Sequence, residues 1–303
     1  MHGADIAALL ALGSALCVAT GDVLQQRAAN RIAHRGVGRF RSLVGLACNR
    51  KWQVGVLLLG TSIVLQAAAL GRGSVLLVQA LLMLSLLFAL SVNAKLTDRP
   101  VRGGEWLWAG LLTIAVIVVV TVGNPQAGRL SASLHTWSQV GAVIGPIMLG
   151  CLVIARRTSS GEMAAVMYAL FAGSMWGAFA VLTKEVVARL ANGYGAVLHA
   201  PEFFASLAVA VGGFIGGQLA FRAGPLTASM PALQMAQPVM AAVLGVVVLD
   251  ETLDTDRIGL IAIGVALIVM AVAIFQLARI DARLTRQHAD THSDSMSSPV
   301  ASR

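Results

Sequence analysis

QAAALGRGSVLLVQALLM, residues 66–83, aligns without a gap on QLAFRAGPLTASMPALQM, residues 218–235. Gln66/Gln218, Ala68/Ala220, Ala80/Ala232, Leu81/Leu233 and Met83/Met235 are identical pairs, and Asp98/Asp250 keeps the register. A second match lies upstream of each copy. GADIAALLALGSALCVATGDVL from Gly3 aligns on GEMAAVMYALFAGSMWGAFAVL from Gly161, with Ala7/Ala165, Ala11/Ala169, Leu12/Leu170, Val23/Val181 and Leu24/Leu182 coinciding. Both matches keep the same order, as an internal duplication would leave them, whereas chance likeness of Ala- and Leu-rich helices would not.

The surrounding composition says what is duplicated. Of 303 residues, 57% are hydrophobic and 12% charged, about half the charge that a soluble domain carries on its faces. Apolar stretches of the roughly 20 residues needed to cross a bilayer recur along the chain. Nine helices are expected, over 5–25, 53–71, 74–94, 106–123, 137–155, 162–183, 203–221, 226–249 and 258–278. The first is read as a retained span, because residues 1–5 offer no Lys or Arg for the start of a signal peptide.

Spans one to four then correspond to six to nine, with the fifth left as a connector. A shift of five spans is odd, so the copies have opposite orientation in the membrane. The expected fold class is an all-α polytopic membrane protein of about nine transmembrane helices in an inverted 4+1+4 repeat. Its parts are a first repeat over 1–123 with a basic cytoplasmic loop at 26–52, a connector over 124–160, a second repeat over 161–278 and a disordered cytoplasmic tail over 279–303. Phe40, Leu43, Val44 and Leu46 in the basic loop fit either a short surface helix on anionic lipid or a solvated loop.

Orientation follows the positive-inside rule. With the N-terminus out and the C-terminus in, the outer side receives only Arg72, Arg129, Lys184, Arg189 and Arg257 of the 22 Lys and Arg. The net charge of +8 therefore reflects lipid headgroups rather than nucleic acid. Trp52, Trp106, Trp108 and Trp137 fall at span edges, as an aromatic belt would place them, and Trp176 sits within a span. Cys17, Cys48 and Cys151 have neither metal-binding nor disulfide spacing. No H-E-x-x-H, phosphate loop or G-x-S-x-G motif points to an enzyme, and no cofactor is implied.

Residues 225–272, from Pro225 through Gly245, Asp250-Glu251, Gly259 and Gly264, resemble the closing segment of the drug/metabolite transporter superfamily, the EamA-like proteins. The layout, with a basic loop after the first span, looks closest to the NIPA-like branch, which is associated with magnesium transport. That branch has a Gly-Glu pair in its second span, where this chain reads Gly60-Thr61. The resemblance implies a multi-pass carrier of the cell membrane. Its partners would be the bilayer, a small molecule or ion, and a second copy of the chain in a homodimer.

Inverted-repeat carriers hold their substrate between the repeats near midplane. Span eight carries Pro231 and Pro238, seven apart, with Gln234 and Gln237 beside them. Each proline frees a carbonyl, which suits either a kinked helix lining a pathway or a kink made for packing. Tyr168, Met175, Trp176 and Phe179 offer an aromatic and thioether surface on span six, for a ligand or for packing. Gln66, Gln79 and Gln218 are amides at membrane depth, suited to substrate contact or interhelical hydrogen bonds. Gly212–Gly217, GGFIGG, permits close helix approach. Asp22, near the cytoplasmic end of span one, is either a solvated helix end or a proton or cation site at a cytoplasmic gate. The expected function is secondary transport of a small metabolite or amphipathic solute by alternating access. The alternatives are a magnesium carrier and a non-transporting membrane scaffold.

Overall fold

A computed structural model describes residues 3–33, 49–97, 103–190, 193–224 and 226–297. The surface helix or loop expected around Phe40–Leu46 lies outside them. Eighty-six per cent of the structure is helical. Among the described residues, nine helical stretches are long and apolar enough to cross a membrane, from Gly3–Gln25 to Arg257–Leu277, each overlapping a span expected from sequence.

The helices are α1 (Gly3–Ala33), α2 (Arg50–Leu70), α3 (Val75–Leu82), α4 (Ser85–Thr97), α5 (Gly103–Thr121), α6 (Leu134–Arg157), α7 (Gly161–Leu190), the short α8 (Tyr194–Leu198), α9 (Pro201–Ala223), α10 (Leu226–Leu249) and α11 (Arg257–Ser297). Caps fix several starts. Asn49 accepts from the Lys51 and Trp52 amides, Ser74 from that of Leu77, and Ser133 from that of Thr136; Pro201 opens α9 where its missing N–H costs nothing. Hydroxyls inside the spans bond back one turn, Thr20 to Leu16, Thr61 to Leu57 and Thr113 to Ala109. In hydrocarbon a polar group has no water to turn to.

Small residues set the packing. Helix α1 lies along α2 with Gly21 against the Gly55 carbonyl, and it also contacts α3 and α4. Helix α7 lies along α9 and α10. A Cβ at Gly173 would sit 2.5 Å from the Leu233 carbonyl oxygen, and one at Gly177 would sit 2.5 Å from that of Gln237. Those two glycines let α10 touch α7 backbone to backbone. Helix α5 packs against α11, and α6 rests mainly on α7. Outward faces stay apolar, with Leu57, Val64, Ile114, Val143, Phe214 and Ile268 exposed, as lipid requires.

The third span is two helices. Met83 donates to the Gln79 and Ala80 carbonyls at 3.3 Å, and Leu84 to Leu81 at 3.1 Å, so the chain tightens and restarts at Ser85. The interruption contains neither Pro nor Gly. Helix α10, where the sequence suggests a kinked helix, runs from Leu226 to Leu249 with both prolines inside it. Burial changes across the break. All of α3 except Leu76 is buried, whereas every residue from Ser85 to Val92 is half-buried, as is every residue from Ala232 to Pro238 on α10.

Helix α11 is the longest element. It extends to Ser297, through residues 279–297, where composition suggests a disordered tail. Alanine, arginine and leucine favour helix, and no Gly or Pro intervenes before Pro299.

Candidate functional site

At the end of the bundle that holds Leu70, Val75 and Leu249, the chain concentrates its buried charge. Lys184 lies in the last turns of α7, and Glu251 follows α10. Their side chains meet at 2.6 Å between Nζ and Oε1, each residue 1% exposed. The same carboxylate accepts from the backbone amides that start α3, Val75 N at 2.6 Å and Leu76 N at 3.1 Å. Three N–H donors therefore converge on one anion, and a helix N-terminus adds favourable partial charge. Gly245 makes room, since a Cβ there would sit 3.0 Å from Glu251 Oε2 and 3.6 Å from the Val75 Cβ.

The turn carrying Glu251 is shaped for this. Asp250 has φ 50°, a left-handed conformation uncommon for a residue other than glycine, and the Glu251 amide returns to the Gly245 carbonyl at 3.0 Å. Outside the turn, exposed Arg129 pairs with Asp250 at 2.6 Å. A two-residue antiparallel ladder joins β1 (Pro125–Gln126) to β2 (Thr252–Leu253), and the Ser74 hydroxyl donates to the Pro125 carbonyl. Beside the pair, buried Glu185 accepts from the Ala132 amide at 2.8 Å and from Trp137 Nε1 at 3.1 and 3.2 Å. Arg189 binds Glu202 one turn further on. These contacts tie the start of α3, the approach to α6 and the ends of α7 and α10 into one polar plug.

One turn below Val75 on the same face of α3, Gln79 is 2% exposed, and neither its Oε1 nor its Nε2 has a hydrogen-bond partner among the described residues. Opposite, Pro231, Gln234, Pro238, Ala241 and Gly245 recur at helical spacing along α10. At Gly245 that face meets Val75. By helical rise Gln79 falls about 6 Å and Gln234 about 16 Å below that contact, on helix faces continuous with it. Gln237 belongs to the neighbouring face, where its backbone packs on Gly173 and Gly177.

Other candidates lie elsewhere. Trp176 is half-buried against α9, where a Cβ at Gly213 would be 3.1 Å from its Nε1, and it meets Phe179 edge to face at 5.7 Å. Phe171 fills the space over Gly216 in the same way. The GGFIGG stretch is therefore a seat for aromatic rings, which places Trp176 against α9 rather than against α3. Gln218 is exposed on α9, Gln66 and Tyr168 are half-buried, and Asp22 is exposed near the other end of α1. A separate apolar groove of about 200 Å³ runs between α6, α7 and α10, lined by Trp137, Gly141, Ile144, Ala178, Met240 and Leu244. Among the described residues, no three His, Cys, Asp or Glu side chains gather as metal ligands would.

Sequence reasoning misses Lys184 and Glu251 as a pair, because it ends span six at 183 and treats both as loop charges. A signal is present nonetheless. Apolar residues continue at Val186, Val187 and Leu190, which places Lys184 and Glu185 inside the helix.

Nine apolar helices among the described residues, packed around small side chains, define a multi-pass helical membrane protein. Within that class, the chain is 34% identical over 275 residues to the "Uncharacterized protein Cgl0250/cg0304" of Corynebacterium glutamicum, covering 90% of this chain and 95% of that one. It belongs to the same family as that protein. No family model matches the chain, and no solved structure matches it.

Proposed function

We propose that the protein is a secondary transporter of the cell membrane. It moves a small neutral, amphipathic or weakly charged organic solute by alternating access between two inverted repeats. The observation that carries this is Gln79, a buried amide without a partner on the face that α3 turns toward α10. An unpaired amide at membrane depth is costly, and a solute that hydrogen-bonds both its atoms would remove the cost. Gln234 and the half-buried stretches Ser85–Val92 and Ala232–Pro238 continue from that face toward the other end of the bundle.

Two further features support the repeat. The aligned halves pack alike, α1 against α2, α3 and α4, and α7 against α9 and α10, with α5 and α11 closing on each other. The interrupted span in the first half also matches carriers that bind at discontinuous helices. In the orientation favoured by Lys and Arg, the plug around Lys184 and Glu251 lies on the outer side. Asp22 then lies toward the cytoplasm, in the last turn of the apolar stretch Gly3–Gln25.

Purified protein in liposomes, assayed for exchange across a panel of organic solutes and Mg²⁺, tests the reading. Saturable exchange of an organic solute, lost in Gln79→Leu, is expected. Exchange of Mg²⁺ alone would favour the cation carrier, and no flux or binding for any solute would leave the scaffold.

A further inference from the structure

We infer that the Lys184–Glu251 pair is a latch closing the outer end of the pathway, and that alternating access proceeds by breaking it. This rests on the carrier reading above. The latch joins parts of both repeats: the start of α3 from the first, and α7 with the turn after α10 from the second. No charged partner is shared with the neighbouring Glu185–Trp137 and Arg189–Glu202 contacts, so the pair can part while those remain.

Stability alone does not account for such a pair. Desolvating two charges largely cancels their attraction, and apolar residues of the same volume hold a closed interface as well or better. What an ion pair adds is a second low-energy state. When the repeats part at this end, water enters and hydrates the ammonium and the carboxylate separately, so their burial cost is recovered as the contact is lost. An apolar pair would only lose by opening. Closed and open states of similar energy are what a two-state carrier needs. The hinge is local: Glu251 sits on a short turn after Asp250 in its left-handed conformation, and Gly245 leaves its carboxylate room.

The test uses the full chain in liposomes, in a background of Cys17→Ala, Cys48→Ala and Cys151→Ala, with a membrane-impermeant maleimide. Ala241→Cys, one turn below Gly245 and 0% exposed, reports opening. Gln126→Cys, exposed in β1, identifies the side on which this end lies. Ala19→Cys, buried in the bundle nearer the other end, reports unfolding. Glu251→Gln strands a buried ammonium and risks misfolding, so the decisive variant is Lys184→Met with Glu251→Gln, which leaves no buried charge unpaired. In that double variant, which keeps the closed contact but loses the hydration gained on opening, labelling of the Ala241→Cys reporter, from the side that labels Gln126→Cys, is expected to fall about tenfold. Labelling of the Ala19→Cys reporter should stay unchanged. Unchanged or increased labelling at position 241 overturns the inference, an increase making the pair purely structural, as does a parallel change at position 19. The readout does not depend on flux. A wild-type chain that moves no solute therefore counts against the carrier reading alone.

Discussion

Removing Glu251 and Lys184 one at a time has unequal consequences that follow from the donors around the carboxylate. In Glu251→Gln the ammonium of Lys184, 1% exposed, loses its counter-charge. Stranding one member of a buried pair costs about 3–5 kcal/mol. The amides of Val75 and Leu76 also exchange a carboxylate for a neutral carbonyl oxygen, worth about 1 kcal/mol as a lost cap. In Lys184→Met the carboxylate keeps both amides, at 2.6 and 3.1 Å, and the helix N-terminus, so the cost falls to about 2 kcal/mol. The double variant carries no buried charge and should lie within about 1 kcal/mol of wild type. At about 2–4 °C per kcal/mol, thermal unfolding of the purified protein should drop by roughly 15 °C for Glu251→Gln, by about 6 °C for Lys184→Met, and little for the double variant. Additive losses in the double variant, or a Glu251→Gln protein that melts with wild type, would refute the buried-pair geometry.

Four other outcomes follow from the local surroundings of named residues. Val75→Cys with Gly245→Cys should cross-link on mild oxidation, because the Cβ positions lie 3.6 Å apart, within the disulfide range of about 3.5–4.5 Å; a gel-shift assay for free thiols reads it. Gly177→Leu should destabilise by at least about 1–3 kcal/mol through overpacking, since its Cβ would meet the Gln237 oxygen at 2.5 Å and the Met240 Cβ at 2.8 Å. Gly60→Ala, with nothing within 4 Å, should be neutral or gain up to about 1 kcal/mol from helix propensity, and thermal melts compare the two. Gln79→Leu should raise stability by about 1–3 kcal/mol by removing an unpaired buried amide, while abolishing solute exchange in liposomes.

Span positions were legible because lipid imposes a long apolar run that composition alone reveals. The break at Met83–Leu84 was not, since it uses no proline or glycine and arises from tighter hydrogen bonds within a uniformly apolar stretch. Pro231 and Pro238 single out α10 in the sequence, and the helix continues through both. Among the candidate residues, Gln79 was recognisable as an amide in a span. Its lack of a partner depends on neighbours distant in sequence. Trp176, open from sequence to ligand contact or packing, sits against glycines on another helix, Gly213 foremost, and sequence order alone does not show that seat. Lys184 and Glu251, separated by 66 intervening residues, read as two ordinary charges at span ends until the fold brought them together.

The most direct measurement is solute exchange by the Val75→Cys, Gly245→Cys chain in liposomes, for whichever solute the wild type carries. Saturable exchange should stop on oxidation and return with reductant. A wild type that exchanges no solute, or exchange that continues with the outer end cross-linked, would contradict transport by alternating access between the two repeats.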